Sequence, residues 1–363
     1  MSTSLALRPQ ADSWLPAPGT PYCLPRIDTR LPILCNPHCA EAERLTHSWE
    51  RPALAAYFGS ETAALRYQKQ RATHWGCLCY PRATRDRMLR MSGLMHCLAL
   101  LDDLFSIPAV RGHAERIRHY RELYLAALDG VAPPPEFPEV RLVHEAVPRA
   151  VAQMSPGLAA RYLDGLRSIV DNTAAQSAGR DIRCFRTVDG YLQVRRVDVF
   201  GYWSAHLAEY AAEVDLTREL GRDDDLATAQ DLAIESLIWV NDLYSFPKEL
   251  TRGDSLNSMW LFMGVQGMEL QQAVDELARL IGETERRFLA TCARIDAGPL
   301  GGRPDVRGYL ACLGHLMTGN LQFHRMATRY HGDDHAEGDP ASGPRTLRPV
   351  VSTASIHHDT SDG

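Results

Sequence analysis

Apolar residues recur at spacings of three and four through most of the interior of this chain, over 40–56, 84–101, 114–128, 155–173, 226–243 and 270–294. That period is the stripe of a helix with one buried side, and few stretches alternate as strands do. The 22 prolines cluster toward the ends of the 363 residues and leave the middle free to be helical. With 45% hydrophobic residues, the chain can bury a large core. The pattern predicts an all-α, single-domain helical bundle over 39–330, enclosing an apolar cavity. Residues 1–38 read as an extended, proline-rich arm, and 331–363 as a disordered tail rich in Gly, Asp, Ser and Pro.

Composition removes several function classes. Lysine and arginine number 39 against 45 acids, a net charge of -6 without a basic stripe, which argues against nucleic acid as a partner. No run reaches the roughly 18 uninterrupted apolar residues of a membrane span, and residues 1–18 lack the apolar stretch of a signal peptide. A cytoplasmic protein with no membrane partner is the expectation. Nine scattered cysteines suit reduced thiols. Cys35 with Cys39, and Cys77 with Cys79, lack a matching second pair at zinc spacing and are read as structural.

Asn241, Ser245 and Glu249 stand at i, i+4 and i+8, so on a helix an amide, a hydroxyl and a carboxylate share one face. Three such oxygens suit one hard cation of the Mg2+ type. The apolar run 237–240 just before them predicts a buried helix, where oxygen ligands need a partner. Pro247 falls inside this segment, removes the hydrogen bond to Leu243 and predicts a kink. Asp102 and Asp103 end the apolar segment 88–101, a costly position unless positive charge is nearby. Asp223, Asp224 and Asp225 precede a helical run and read as its N-terminal cap and dipole partners.

The segment Asn241-Asp242-Leu243-Tyr244-Ser245-Phe246-Pro247-Lys248-Glu249 resembles the NSE/DTE metal-binding motif of class I terpene synthases, including the lysine that bacterial members carry before the final glutamate. Leu100-Leu101-Asp102-Asp103-Leu104-Phe105-Ser106 is similar to the aspartate-rich motif of that family, departing from it at Ser106, where a third acid is common. Tyr191-Leu192-Gln193-Val194-Arg195-Arg196 resembles its diphosphate-sensing segment, with Arg195 standing 46 residues before Asn241, as in the family's pattern. By that resemblance Arg195 is the sensor, Asp198 the linker and Val199 the effector, a position more often glycine. Arg329 and Tyr330 match the C-terminal Arg-Tyr pair, and Tyr80-Pro81-Arg82-Ala83 a turn ahead of the aspartate helix. The likeness runs in register from about residue 49 to 330.

The resemblance implies the class I terpenoid fold and a cyclase of linear prenyl diphosphates using three Mg2+ ions. Asp102, with Asp103 beside it, and Asn241, Ser245 and Glu249 would bind metal. Arg195, Lys248, Arg329 and Tyr330 would hold the diphosphate. Phe105, Trp203 and Phe323 are candidate aromatic faces for a carbocation. Farnesyl diphosphate is the expected substrate and a sesquiterpene hydrocarbon or alcohol the product. Geranyl, 2-methylgeranyl and geranylgeranyl diphosphates remain alternatives, as does a catalytically silent diphosphate-binding homologue. A chain-elongating prenyltransferase would normally carry a second aspartate-rich motif where this chain has the Asn-Ser-Glu form. A homodimer is left open.

Overall fold

The computed structural model describes residues 15–179, 185, 187–252, 256–332 and 342–348, the side chains of 251 and 252 excepted. Among these are fifteen α-helices and two short strands. After β1 (Pro21–Leu24) come α1 (Cys39–Phe58), α2 (Glu61–Gln68) and α3 (Ala72–Cys79). Gly59 ends α1 at φ 71°, and the Ser60 hydroxyl caps α2 by accepting from the Ala63 amide at 3.1 Å. Next stand α4 (Arg85–Ser106), α5 (Ala114–Leu128), α6 (Pro138–Val151), α7 (Pro156–Ser177) and α8 (Val188–Asp198). The chain continues through α9 (Gly201–Ala212), α10 (Thr217–Leu220), α11 (Asp224–Arg252) and α12 (Ser258–Trp260), which runs into a π-turn at Leu261–Val265. It closes with α13 (Leu270–Ala297), α14 (Pro304–Met326), α15 (Thr328–His331) and β2 (Gly343–Thr346).

Two helices form the centre. Thirteen residues of α4 are buried, on nearly every side, and α3 and α6 pack against it. α11 lies against α13 and α14. The outer helix α13 buries a single stripe, Leu270, Val274, Leu277, Ile281 and Phe288, as its 3.6-residue period requires. At the crossing of α14 with α3, an added Cβ on Gly319 would lie 2.4 Å from the Leu78 carbonyl carbon. Only glycine lets the two backbones approach this closely.

α11 begins earlier and ends later than its apolar pattern suggests. The Asp223 carboxylate accepts the Leu226 amide at 2.8 Å, a cap of the kind read from the three aspartates. The helix continues past Pro247 to Arg252.

The tail departs from its expected state, while the described part of the arm is extended. Gly343–Thr346, in the segment read as a disordered tail, pairs antiparallel with Pro21–Leu24 of the arm, and Leu347 is buried beside it. Each strand satisfies the other's backbone groups, which neither could do alone. Residues 333–341 and 349–363 of the tail lie outside the described residues. The arm itself is fixed to the bundle: the Cys23 amide donates to Gln271 of α13 at 2.7 Å, and Thr318 of α14 donates to the Pro32 carbonyl at 2.9 Å.

Candidate functional site

One cavity receives a stripe from each central helix. On α4 the stripe is Met95, Leu98, Ala99 and Asp102; on α11 it is Leu237, Asn241, Ser245 and Glu249, with Lys248 beside it. These spacings of three and four are those of a single helix face. In both stripes the apolar members come first and the carboxylate last. The two polar ends meet, since Lys248 Nζ lies 3.7 Å from Asp103 Oδ1. The cavity is therefore oxygen-rich at one end and apolar along the rest of these two stripes.

A helix break supplies a further wall. α8 ends at Asp198 with Val199 as its cap, and Phe200 adopts the left-handed conformation (φ 59°) before α9 starts. Gly201 is required there: an added Cβ would stand 2.2 Å from Ile234 Cγ2 of α11 and 2.7 Å from the Arg196 carbonyl oxygen. Val199, Phe200 and Trp203 line the cavity as a result.

Arg195, on the last turn of α8, is held by three residues. Its Nε and Nη2 donate to Asp242 Oδ1 at 3.2 and 2.8 Å, Nη1 donates to Asp198, and Nη2 also donates to Asn241 Oδ1 at 2.7 Å. Burial alone would lower its pKa, but the charge of Asp242, joined by Tyr191, Glu249 and the Asp242 hydrogen bond, outweighs that and holds the guanidinium above its ordinary value. Asp242 has no exposed surface; it also accepts from the Tyr191 hydroxyl at 2.5 Å and the Ser258 amide at 3.0 Å.

Asn241 is oriented from its other side. His324 Nδ1 faces the Asn320 carbonyl at 2.8 Å, so it must carry the proton, and Nε2 is left to accept from Asn241 Nδ2 at 3.2 Å. Burial pushes the His324 pKa down to about 3, which keeps this neutral tautomer across the physiological range. The amide oxygen of Asn241 is thereby turned toward Arg195 and the cavity. Asn257, which caps α12 through the Met259 amide, donates to Glu249 Oε2 at 2.8 Å and reaches Ser245 Oγ at 3.4 Å.

α15 brings Arg329 and Tyr330 over the polar end. Arg329 donates to Asp103 Oδ2 and Oδ1 at 2.8 and 3.0 Å, to Asp102 Oδ2 at 3.3 Å and to Gln70 Oε1 at 2.5 Å. Tyr330 stacks on His324, ring centroids 4.3 Å apart, and burial pushes its pKa up to about 12. The hydroxyl therefore remains a donor.

Of the residues singled out by sequence, Asp102, Arg195, Asp198, Val199, Asn241, Ser245, Lys248, Glu249, Arg329 and Tyr330 all line this cavity. Asp103 stands behind it, 5% exposed, paired to Arg329 and Lys248. Among the aromatics, Trp203 and Phe323 face the cavity; Phe105 does not, being packed against Tyr120 and Tyr124 with centroids 6.5 Å apart. Phe105 follows Asp102 by three residues but its ring points into the α5 side of the core, which the motif alone does not reveal.

The amide, hydroxyl and carboxylate oxygens of Asn241, Ser245 and Glu249, with Asp102 across the cavity, are hard donors of the kind Mg2+ prefers, and no thiol or free imidazole competes among these lining residues. Sequence reasoning missed Asp242, Asn257, His324 and Gln70. Asp242 was in plain view inside the metal motif, and its position one residue after a metal-type amide turned it about 100° round the helix, out of the cavity and toward α8. Asn257 and Gln70 give no local signal.

The family described as terpene synthase family 2, C-terminal metal binding, matches residues 94–287, more than half of the chain. Microbial terpene synthase-like protein 13 of Selaginella moellendorffii is 30% identical over 181 residues, a stretch that spans only half of each protein. The (+)-T-muurolol synthase ((2E,6E)-farnesyl diphosphate cyclizing) of Roseiflexus castenholzii is 23% identical over 299 residues, 81% of this chain and 90% of that one. In fold, the chain resembles a crystal structure of a variant of SVS_A2, a protein from ancestral sequence reconstruction, with TM-score 0.73, 22% identity and coverage of 88% of this chain and 92% of the other.

Proposed function

The chain belongs to terpene synthase family 2, whose members are metal-dependent enzymes, and from that premise we propose that it ionises farnesyl diphosphate and cyclises the resulting cation to a sesquiterpene, releasing diphosphate. The observation that carries this reading is the cavity with two characters: hard oxygen donors and two buried arginines at one end, apolar and aromatic side chains at the other.

Asp102, with Asn241, Ser245 and Glu249 facing it, would hold Mg2+, three ions by the family's pattern. When bound, such metal supplies positive charge against the leaving diphosphate. Arg195 and Arg329 offer planar forks for phosphate oxygens, and both stay charged at every relevant pH. Arg195 pairs with Asp198, and Arg329 with Asp102 and Asp103, so diphosphate would compete with those carboxylates for the arginine donors. Lys248 and the Tyr330 hydroxyl add donors at the same end. Asp198 ties the Arg195 fork to the helix break, and Val199 at that break lines the cavity. Fixed donors of this kind stabilise charge as it develops, with little reorganisation. The apolar walls keep water from the cation, and the faces of Trp203 and Phe323 are suited to stabilise it.

Farnesyl diphosphate is favoured by the name of the Roseiflexus relative, which states that substrate for that protein. Incubating the full chain with geranyl, farnesyl and geranylgeranyl diphosphates, with Mg2+ and with chelator, tests the proposal by mass spectrometry of extracted volatiles. A metal-dependent cyclic C15 product is expected. A product from another chain length would revise the substrate, and none from any of the three would point to a methylated substrate or to a silent binding protein. Asn241→Ala and Glu249→Ala should each cut turnover by orders of magnitude while the melting temperature stays near that of the native chain. Near-normal turnover in either would sink the metal assignment.

A further inference from the structure

On the opposite side of α3 from the cavity, the fold gathers three side chains that lie far apart in sequence. The Cys35 and Cys39 thiols and one ring nitrogen of His74 all lie within 4.8 Å of one another. Cys35 is exposed, while Cys39 and His74 are half-buried, so the cluster opens to solvent on one side. A fourth soft atom stands one turn along α3 from His74: the buried Cys77 thiol, which faces Met88 Sδ at 3.8 Å and would turn from it to join the other three. Read in order, the arrangement is Cys-x3-Cys followed by His-x2-Cys, a pairing hidden by the more obvious Cys77-x-Cys79. Cys79 faces the other way, its thiol toward the Leu316 carbonyl of α14.

The loop carrying Cys35 and Cys39 is already fixed in place. Asn36, 2% exposed, donates its side-chain amide to the Tyr80 and Ala83 carbonyls at 3.2 and 2.9 Å, and its backbone N–H donates to the Cys77 carbonyl at 2.9 Å. The nearby Glu43 is not needed as a ligand, because Arg71 holds both its oxygens at 2.8 and 2.9 Å. In the other His/Glu cluster among the described residues, His47, Glu50 and His96, two members are engaged with each other: His96 accepts the Ala72 amide at 2.9 Å and meets Glu50 at 3.0 Å.

We propose that Cys35, Cys39 and His74 bind one Zn2+ ion, with Cys77 or a water molecule as the fourth ligand. Thiolate and imidazole donors select a soft, tetrahedral ion, unlike the oxygen donors of the cavity. Tetrahedral zinc with bonds of about 2.0–2.3 Å sets its ligand atoms roughly 3.3–3.8 Å apart, so the three atoms, all within 4.8 Å of one another, have to close by about 1.5 Å at most. The ion pins the start of α1 to α3, the helix that presents Ala72 and Trp75 to the cavity. Its role is to fix that wall, and it is chemically separate from the metal that serves the diphosphate.

The test uses the full chain, reduced and stripped with chelator, then titrated with Co2+ and displaced with Zn2+. One equivalent of Co2+ should give thiolate charge-transfer absorption and the intense visible bands of a tetrahedral site, both abolished by one equivalent of Zn2+, and Zn2+ should raise the melting temperature. Cys35→Ser, at an exposed position that the fold tolerates, should weaken zinc binding by more than the roughly 10–100-fold that loss of an outer-shell partner costs. Cys77→Ser should lower the charge-transfer intensity by about a third if that thiol completes a three-cysteine site, and leave it unchanged if water does. Asn241→Ala and Glu249→Ala should keep the signal in full. Absence of the charge-transfer band, the same band in Cys35→Ser and Cys39→Ser, or a Cys35–Cys39 disulfide in isolated protein that takes up no zinc after reduction would overturn the proposal.

Discussion

Asp242 accepts four hydrogen bonds from three residues while wholly buried, and it is the partner that makes a buried Arg195 affordable. Removing one member of such a pair leaves the other charge without compensation. Asp242→Ala should therefore lower stability by about 3–5 kcal/mol, read from urea denaturation, a far larger loss than Asn241→Ala causes. His324 acts on the neighbouring residue. Its Nε2 fixes which way the Asn241 amide points, so His324→Phe keeps an aromatic ring against Tyr330 but frees that amide. The apparent Mg2+ requirement of turnover should rise by about 10–100-fold, as for loss of other outer-shell partners, with little change in melting temperature. An unchanged Mg2+ dependence would show that Asn241 needs no such support.

At the scale of elements, two glycines decide where helices can lie. Gly201 lets the α8–α9 break sit against Ile234 of α11, and Gly319 lets α14 cross α3 at backbone contact. The contacts at Gly319 are main-chain atoms of Leu78 and Cys79, which cannot swing aside as a flexible side chain would. Gly319→Ala should thus cost at least the 1–3 kcal/mol typical of overpacking, measured by thermal or urea unfolding. Because α3 also carries Trp75, whose indole N–H donates to Asn320 at 2.9 Å, the variant should lose turnover as α3 moves away from α14.

Across the whole molecule, buried titratable groups set how stability follows pH. Burial raises the Glu139 carboxyl to about 7, and burial, aided by the charge of Arg161, lowers His206 to about 3. Between pH 4.5 and 7 the folded chain holds the Glu139 proton that the unfolded chain has lost, so this residue makes stability fall as pH rises. Between pH 3 and 6.5 the unfolded chain protonates His206 and the folded chain does not, so that residue makes stability rise with pH. The two slopes oppose each other from 4.5 to 6.5. Glu139→Gln removes one of them: its stability relative to the native chain should grow by about 1.4 kcal/mol per pH unit from 4.5 and level off above 7. Melting curves of both proteins across that range would reveal it, and a constant difference would mean that Glu139 is ionised in the fold. The arm and the tail belong to this scale too, since β1 and β2 exist only as a pair and together fasten the arm beside α13.

Much of the fold and the cavity was legible in the chain because both rest on local periodicity. A period of 3.6 residues marks α5, α7 and α13, while α4, buried on nearly every side, shows instead as a long apolar run, and the helical period puts Asn241, Ser245 and Glu249 of α11 on one face whatever lies opposite. Charge economy made Asp102, Asp103 and Arg195 conspicuous, since such groups near apolar segments need partners. Which partners they find is a question of packing across the bundle. Asp242 meeting Arg195, His324 turning Asn241, Asn257 reaching Glu249 and Phe105 facing away from the cavity all depend on how helices distant in sequence are set against one another. The same holds for Cys35, Cys39 and His74, whose spacing matches nothing until the arm is folded against α3. Periodicity within a helix is written in the chain; the contacts between helices exist only once close packing has fixed their angles and registers.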